Sequence, residues 1–244
     1  VVVSKFWKNK IEEMGFNNVE IIYNSFYSRN FKISDKDVEI FKAKHNLMNK
    51  PVIYIGNTGN NKGGRRVYES LKDLNYTFVS SGLNREGISK VRYFNLSYKE
   101  YLILLKSCDV IILMSVFLEG WNRTAHESIL LGRKVIGSGT GGMKELLELE
   151  GRRICKNVDQ LKDLVNSLLI EDTKKEVMMI DKYNEKYFYL KDDYLYHKSY
   201  LVLVSLYVFF VIAKSLPIYI QLHLKFESET ILSRGITKKK WLKQ

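Results

Sequence analysis

Cysteine and histidine are scarce in this chain of 244 residues, and their scarcity argues against two kinds of site. The only cysteines, Cys108 and Cys155, lie in apolar stretches, so we interpret them as buried apolar residues and expect no disulfide framework. Such cysteine usage favours a reducing, cytoplasmic compartment. The histidines are dispersed without the spacing of metal ligands: His45, His126, His197 and His223. We therefore expect no metal ion and no disulfide scaffold.

Several catalytic and nucleotide-binding motifs are also missing. The sequence shows no Ser/His/Asp or Cys/His nucleophile set, no Gly-Lys-Ser/Thr ending of a P-loop and no G-x-G-x-x-G string. The only Asp-x-Asp string, Asp35-Lys36-Asp37, lies in a polar stretch at a predicted helix start, where acidic residues are ordinary. We interpret it as a solvated helix cap. The first residues, Val1–Ser4, lack the layout of a signal peptide.

Positive charge dominates the composition. The formal net charge is +12, and 45% of the residues are hydrophobic, enough for the core of one large domain or two small ones. The charge favours an anionic partner, which is a nucleotide diphosphate, a phospholipid surface or a nucleic acid. The tyrosines are spread through predicted strands and the C-terminal part, which is not typical of a base-stacking surface. We therefore expect no nucleic-acid partner.

Apolar strands alternate with amphipathic helices from Pro51 to about Leu169. This alternation predicts an α/β fold with a doubly wound, Rossmann-like parallel sheet and right-handed crossovers. Ser97 and Glu100 have the spacing of a capping box, which predicts the start of one helix. The predicted strands are Val52–Ile55, Thr77–Ser80, Arg92–Phe94, Asp109–Met114 and Val135–Ser138. The predicted helices are Asp37–His45, Arg65–Leu74, Ser97–Lys106, Ala125–Leu131, one beginning at Gly142 and one carrying the apolar stripe Val158, Leu161, Val165 and Leu168.

Two carboxylates eight positions apart, Glu119 and Glu127, form the most specific pattern in the chain. Glu119 precedes the turn residues Gly120–Asn122 at the end of a predicted strand, and Glu127 lies within the next helix. We expect one carboxylate to face a cleft from a loop and the other to face it from a helix. This arrangement suits a nucleotide sugar, because carboxylates accept hydrogen bonds from vicinal hydroxyls and helix-start N–H groups receive phosphate oxygens.

The segment resembles the donor half of the group 1 (family 4) retaining glycosyltransferases, which have the GT-B fold. The family pattern is Glu, seven residues, Glu, a small-residue helix, Gly, an apolar strand, Gly-Gly and Glu. Those places are held by Glu119, Glu127, Gly132, Val135 with Ile136, Gly141 with Gly142, and Glu145. Upstream, Lys50–Gly64 resembles the first strand and phosphate loop, with Lys62 and Gly63 in the Lys-Gly places. The resemblance runs from Val1 to about Leu169.

The resemblance implies roles for particular residues. Lys62, with the loop and helix N–H groups around it, would stabilise the departing diphosphate. Glu119 would contact the transferred sugar, and Glu127 would hold the ribose hydroxyls. The implied donor-binding residues are Gly56, Asn57, Lys62, Gly120, Trp121, Asn122, Arg123, Thr124 and Glu127, and the implied catalytic residues are Glu119 and Lys62. A metal-independent transfer with retention, without a cofactor, is expected. We interpret His126, the neighbour of Glu127, as a buried, hydrogen-bonded residue.

One departure from the family pattern concerns the phosphate loop. The family usually has Arg directly after the first loop glycine, whereas this chain has Asn57. Arg65, Arg66 and Arg123 are the candidates to replace that cation. Two alternatives to an active enzyme stay open: a noncatalytic nucleotide-sugar-binding module, and one subunit of a split glycosyltransferase whose partner chain supplies the acceptor domain.

The resemblance and the composition together predict a division of the chain. Residues 1–30 are expected to be the end of an N-terminal acceptor domain, most of which would lie outside this chain, and residues 31–50 an interdomain connection. Within the first segment, the resemblance implies strands at Val1–Ser4 and Val19–Asn24 and a helix at Lys5–Met14, with Trp7, Ile11 and Met14 on one face. Residues 51–170 would form the nucleotide-sugar-binding domain, and residues 171–244 a tyrosine-rich, hydrophobic and basic tail. Its apolar part, Tyr200–Leu224, is interpreted as a membrane span, an interfacial or docking helix, or non-native sequence. The acceptor, whether glycan, lipid or protein, is not predicted.

Overall fold

The computed structural model describes residues 1–24, 26–57, 59, 61–84 and 87–171 of the chain. The apolar segment Tyr200–Leu224 lies outside the described residues, so the membrane prediction stays a prediction. Within the described ranges, no helix is both long and apolar enough to cross a membrane. The predicted division into domains also stays a prediction.

A six-stranded parallel sheet forms the centre of the fold and confirms the predicted Rossmann-like α/β class. The strand order is β3-β2-β1-β4-β5-β6. The strands are β1 (Val52–Asn57), β2 (Thr77–Ser81), β3 (Val91–Phe94), β4 (Val110–Leu113), β5 (Lys134–Gly137) and β6 (Arg153–Ile154). All but the last were predicted. The two residues of β6 are too few to produce a recognisable alternation of polar and apolar side chains.

Seven α-helices lie in the described part of the chain: α1 (Lys5–Glu13), α2 (Asp35–Lys44), α3 (Gly64–Leu71), α4 (Tyr98–Ser107), α5 (Arg123–Leu130), α6 (Gly142–Leu149) and α7 (Leu161–Ile170). The capping box of Ser97 and Glu100 at the start of α4 is confirmed. Ser34 and Asp37 form a second capping box, and Asp35 pairs with Lys106, so the Asp-x-Asp string does cap a helix.

Helices cover both faces of the sheet, so two hydrophobic clusters form. One face packs Tyr54 and Ile111 against α4, α5 and α6 through residues such as Leu104 and Leu146. The other packs Ile112 against α3 and α7 through residues that include Val67 and Val165. Strands β1 and β4 are buried on both faces, which explains their continuous aliphatic sequence.

The N-terminal segment differs from the prediction. Val1–Ser4 and Val19–Asn24 were predicted as strands, but they form only an isolated bridge between Val2 and Ile21. These two short segments pair with each other alone in the described structure, so no ladder is built. Met14, predicted to share an apolar face with Trp7, is exposed, and α1 has no buried residue. Helix α1 packs against α6 instead.

Candidate functional site

A cavity of about 360 Å³ opens where the strand order reverses between β1 and β4. The chain winds outward from β1 in one direction and from β4 in the other, so the loops that follow these two strands diverge and leave a crevice at their carboxyl ends. Open α/β sheets bind ligands at such a switch point. The lining residues are Val3, Asn24, Gly56, Asn57, Lys62, Leu113, Ser115, Glu119, Gly120, Trp121, Asn122, Arg123 and Thr124.

The loop after β1 brings Lys62 to this cavity. Gly63 has a left-handed φ of 76°, and a Cβ there would lie 2.1 Å from the Met114 carbonyl oxygen, so only glycine allows the loop to pack on the end of β4. The Val116 N–H donates to the Asn61 carbonyl at 3.0 Å and fastens the same contact. Lys62 Nζ then donates to Glu119 Oε1 at 2.9 Å and lies 4.5 Å from the Phe117 ring centroid.

Glu119 is nearly buried, with 6% of its surface exposed, and its carboxylate is held by several donors. Ser115 Oγ donates to Oε1 at 2.5 Å, and Asn122 Nδ2 donates to the same oxygen at 3.2 Å. Together with the Lys62 ammonium, these donors satisfy a charge that burial would otherwise penalise. The carboxylate therefore has a fixed position at the wall of the cavity.

The backbone of Glu119 is fixed as well. Its carbonyl accepts hydrogen bonds from Trp7 Nε1 at 3.0 Å and from the Gly142 N–H at 2.8 Å. A Cβ on Gly141 would lie 2.3 Å from the Glu119 carbonyl oxygen, and a Cβ on Gly142 would lie 1.9 Å from that of Gly120. The Gly-Gly pair is thus needed for the start of α6 to approach the loop that carries Glu119.

The first turn of α5 forms the wall of the cavity next to Glu119. Asn122 caps this helix in a left-handed conformation, with φ of 62°, and its Oδ1 accepts the Ala125 N–H at 2.9 Å. Arg123 and Thr124, the first two residues of the helix, line the cavity. Helix-start N–H groups and the positive end of the helix dipole favour an anion at this place.

Glu127 lies one helical turn further along α5 and is not among the lining residues. It is buried, and its two oxygens accept hydrogen bonds from Tyr98 at 3.2 Å and Tyr101 at 3.1 Å. Arg123 Nη2 is 3.8 Å from Oε1. Burial raises the pKa of Glu127, an effect that the tyrosine hydroxyls and the Arg123 charge partly oppose. The structure thus brings Lys62 and Glu119 together, with Glu127 beside them.

Trp121, which lines the cavity, forms a buried pair with His126. Trp121 Nε1 donates to His126 Nδ1 at 3.1 Å, and the Trp121 ring packs on Tyr23 with centroids 5.0 Å apart. Burial and the neighbouring Arg123 lower the pKa of His126 to about 3. The imidazole is therefore neutral near pH 7 and serves packing, as predicted, rather than proton transfer.

The structure separates the arginines proposed to replace the missing loop cation. Arg123 lines the cavity beside Asn57 and Lys62. Arg65 and Arg66 instead line a second, open cleft of about 580 Å³ with Lys162. Neither of these two residues is among those that line the cavity with Lys62 and Glu119. Across the described ranges, no group of three or more His, Cys, Asp and Glu side chains could hold a metal ion.

Sequence reasoning missed several residues around the two carboxylates. Ser115 lies two residues after the end of the buried strand β4, a place where a polar side chain often faces a site. Tyr98 and Tyr101 are three residues apart in α4 and therefore share a face, which was a readable signal. Trp7 and Val3 gave no signal, because they are more than 100 residues from Glu119 in the chain.

Comparisons with known proteins give matches only among solved structures. No family model and no curated protein matches this chain. Among the similar structures is Anabaena HepE in complex with UDP, with a TM-score of 0.66, 19% sequence identity, and 77% of this chain and 59% of that chain covered. A glycosyltransferase from Rickettsia africae has a TM-score of 0.64 and 20% identity, with 77% and 58% covered. WaaG, a glycosyltransferase involved in lipopolysaccharide biosynthesis, has a TM-score of 0.63 and 15% identity, with 76% and 58% covered.

These likenesses establish the fold. The described part of the chain has the Rossmann-like α/β architecture found in solved glycosyltransferases, and the chain spans about three-fifths of the length of those structures. HepE has also been solved with UDP-glucose, at a TM-score of 0.63 and 18% identity to this chain.

Proposed function

We propose that this chain is the donor-binding part of a glycosyltransferase that moves a sugar from a nucleotide-diphosphate sugar to an acceptor. One observation carries the proposal. Lys62 and Glu119, which come from the loops after β1 and β4, meet at 2.9 Å in a cavity at the switch point of the sheet. A cation and a carboxylate in one crevice match the two ends of the donor, its diphosphate and its sugar.

The cavity offers a place for each part of the donor. The diphosphate would lie between Lys62 and the backbone N–H groups at the start of α5, with Gly56 and Asn57 on the other side. The sugar hydroxyls would donate to Glu119. Glu127 would hold the ribose hydroxyls by exchanging its contact with the Tyr98 hydroxyl for one with the nucleoside. That a solved structure of this fold, HepE, holds UDP-glucose supports a nucleotide sugar as the ligand.

The proposed reaction is a metal-independent transfer with retention. The bond between the anomeric carbon and the diphosphate oxygen breaks, and the acceptor oxygen bonds to the same face of that carbon. The leaving diphosphate oxygen takes the acceptor proton. In this scheme Lys62 and the helix-start N–H groups stabilise the negative charge that develops on the diphosphate, and positioning supplies much of the remaining rate.

One specific observation favours a second candidate, a nucleotide-sugar-binding module that does not react by itself. Asn57 stands where the resembled family has Arg. A partner chain that supplies an acceptor domain would turn such a module into a split enzyme. Attachment of the chain to a membrane surface is also a proposal.

Isothermal titration calorimetry of the full chain with UDP, GDP and their sugars tests the proposal. We expect one of the two nucleotides to bind, and Lys62→Ala to weaken that binding roughly tenfold or more, since the variant loses a charge-assisted contact to phosphate. Glu127→Ala should lower the part of the binding free energy that comes from the nucleoside. Arg66→Ala, in the separate cleft, is the matched control and should bind like the wild type.

Product analysis separates the two candidates. Sugar hydrolysis or transfer by the chain alone supports the enzyme, and activity that appears only with an added acceptor-domain chain supports the split enzyme. Binding without either reaction supports the module. Failure of the wild-type protein to bind any of these nucleotides would falsify the proposed function.

A further inference from the structure

The proposed donor carries a diphosphate, and a single lysine offers one positive charge for it. Lys62 already shares its ammonium with Glu119 at 2.9 Å, so part of its charge is used within the protein. Asn57, which lines the same cavity, is neutral. A second cation directed into the cavity would balance the ligand better than Lys62 alone.

Arg123 has the position and the freedom to be that cation. Arg123 lines the cavity together with Lys62 and Asn57, and 65% of its side chain is exposed. The guanidinium lies over the Phe26 ring, with Cζ 5.1 Å from the centroid, which restrains the plane of the group. Its contact with Glu127 is long, at 3.8 Å, and it also interacts with the Tyr98 hydroxyl. The guanidinium would exchange these two contacts for an anion without breaking a short ion pair.

The place of Arg123 in the chain also points to an anionic ligand. It is the first residue of α5, and no acidic residue lies in the first turn of that helix. A cation at a helix N-terminus is opposed by the helix dipole, so this position favours acidic or neutral residues. The i,i+4 contact with Glu127 offsets part of this penalty, and an anion bound in the cavity would offset more of it.

We infer that the Arg123 guanidinium binds the diphosphate of the donor opposite Lys62 and takes the place of the cation that Asn57 does not provide. The inference rests on the proposed function. It adds a role for the Arg123 side chain beyond its backbone N–H, and it makes the diphosphate the part of the ligand that this residue recognises. Without the ligand, the same guanidinium faces Glu127.

Calorimetry on Arg123→Leu tests this role. Leucine retains an apolar contact with Phe26 but removes the charge. We expect affinity for UDP or GDP, whichever binds the wild type, to fall roughly 10- to 100-fold, whereas affinity for uridine or guanosine stays within about threefold. Arg66→Leu is the matched control in the other cleft. Thermal unfolding of each variant establishes that it is folded.

A second variant, which places an arginine in the loop after β1, tests the substitution directly. In the Arg123→Leu background, Asn57→Arg places a guanidinium on another wall of the same cavity, and we expect it to restore at least half of the lost binding free energy. Absence of that rescue in a folded double variant would overturn the idea that Arg123 substitutes for a cation at position 57.

Further outcomes separate this inference from the function on which it rests. Nucleotide binding by the wild type that Arg123→Leu leaves unchanged overturns the inference alone, provided that Lys62→Ala weakens the binding. An equal loss of affinity for the nucleoside and for its diphosphate also overturns it, since Arg123 would then act on the nucleoside or the fold. No binding by the wild type overturns both proposals together.

Discussion

The regions around Glu119 and Glu127 place the same buried side chain in two different environments. Around Glu119, the donors to the carboxylate are an ammonium, a hydroxyl and an amide, and they come from the loops after β1 and β4. Around Glu127, two tyrosine hydroxyls from one helix hold the carboxylate, and the Arg123 guanidinium is 3.8 Å away. The first region combines two donors from the loop that carries Glu119 with a lysine from another loop, and the second is held by one helix-to-helix contact.

This difference indicates a division of tasks. Glu119 lines the cavity and is fixed through both its carboxylate and its carbonyl, so its geometry is set before a ligand arrives. Glu127 faces neutral hydroxyl donors, which a ligand hydroxyl can replace at little cost. A rigid carboxylate beside the cation and an exchangeable one behind it suit the sugar and the ribose of one donor, respectively.

The largest expected effect comes from breaking the backbone support of the Glu119 region. Gly141→Ala places a Cβ 2.3 Å from the Glu119 carbonyl oxygen, and that neighbour is backbone held by two hydrogen bonds. We expect the free energy of unfolding to fall by about 3 kcal/mol, in the range of severe overpacking. Urea denaturation followed by circular dichroism measures it.

Gly151→Ala is the matched control for that substitution. Gly151 has nearly the same φ, 59° against 60°, but nothing lies within 4 Å of its Cβ position. The control therefore carries a positive φ without the close contact and should cost clearly less. Equal losses for the two variants would mean that the close approach to Glu119 contributes nothing.

A smaller loss is expected from one hydrogen bond in the Glu119 region. Ser115→Ala removes the hydroxyl that donates to Glu119 Oε1 at 2.5 Å within a buried site. A hydrogen bond to a charged group contributes about 1.5–3 kcal/mol, so we expect a loss near 2 kcal/mol in urea unfolding. Ser128→Ala, whose hydroxyl donates to a carbonyl within α5, is the control and should cost less.

The corresponding change in the Glu127 region should cost less still. Tyr98→Phe removes one of the two hydroxyl donors, and the Tyr98 ring is partly exposed, so water can take the place of the hydroxyl. We expect a loss of about 0.5–1 kcal/mol in urea unfolding. A loss as large as that of Ser115→Ala would remove the contrast between a rigid and an exchangeable carboxylate.

The smallest expected effect is a pH dependence. Because burial raises the pKa of Glu127 above its ordinary 4.5, the folded protein holds this proton more tightly than the unfolded chain. The resulting stabilisation is fully present below pH 4.5 and is lost as the pH rises through the folded pKa. Wild-type stability relative to Glu127→Gln should therefore fall across this window in urea unfolding. A difference that is constant with pH, or that rises, would contradict the assignment.

The sequence was sufficient for most of the sheet and for the ends of several helices. Strands β1 and β4 are aliphatic throughout because they are buried on both faces, and Ser97 with Glu100 marks the start of α4 through a local hydrogen-bond pattern. Such signals are local, so a single sequence contains them. The N-terminal strands failed as predictions because a strand needs a partner, which no local pattern specifies.

The candidate site was only partly predictable for the same reason. That Lys62 and Glu119 share a site was implied by the family resemblance, and the structure brings them together because both lie after adjacent parallel strands. Two contacts depend instead on how helices pack, which the sequences of the helices do not encode. They are the hydrogen bond from the Trp7 indole to the Glu119 carbonyl and the place of Arg66 in the second cleft.

Amide chemical shifts during a nucleotide titration test the central claim most directly, since they report where on the protein the diphosphate binds. The account predicts that UDP or GDP shifts the amides of Gly56, Lys62 and Gly120–Thr124 at the switch-point cavity, and leaves those of Ser70 and Lys162 in the second cleft unchanged. Shifts confined to the second cleft, with the cavity residues unmoved, would contradict it.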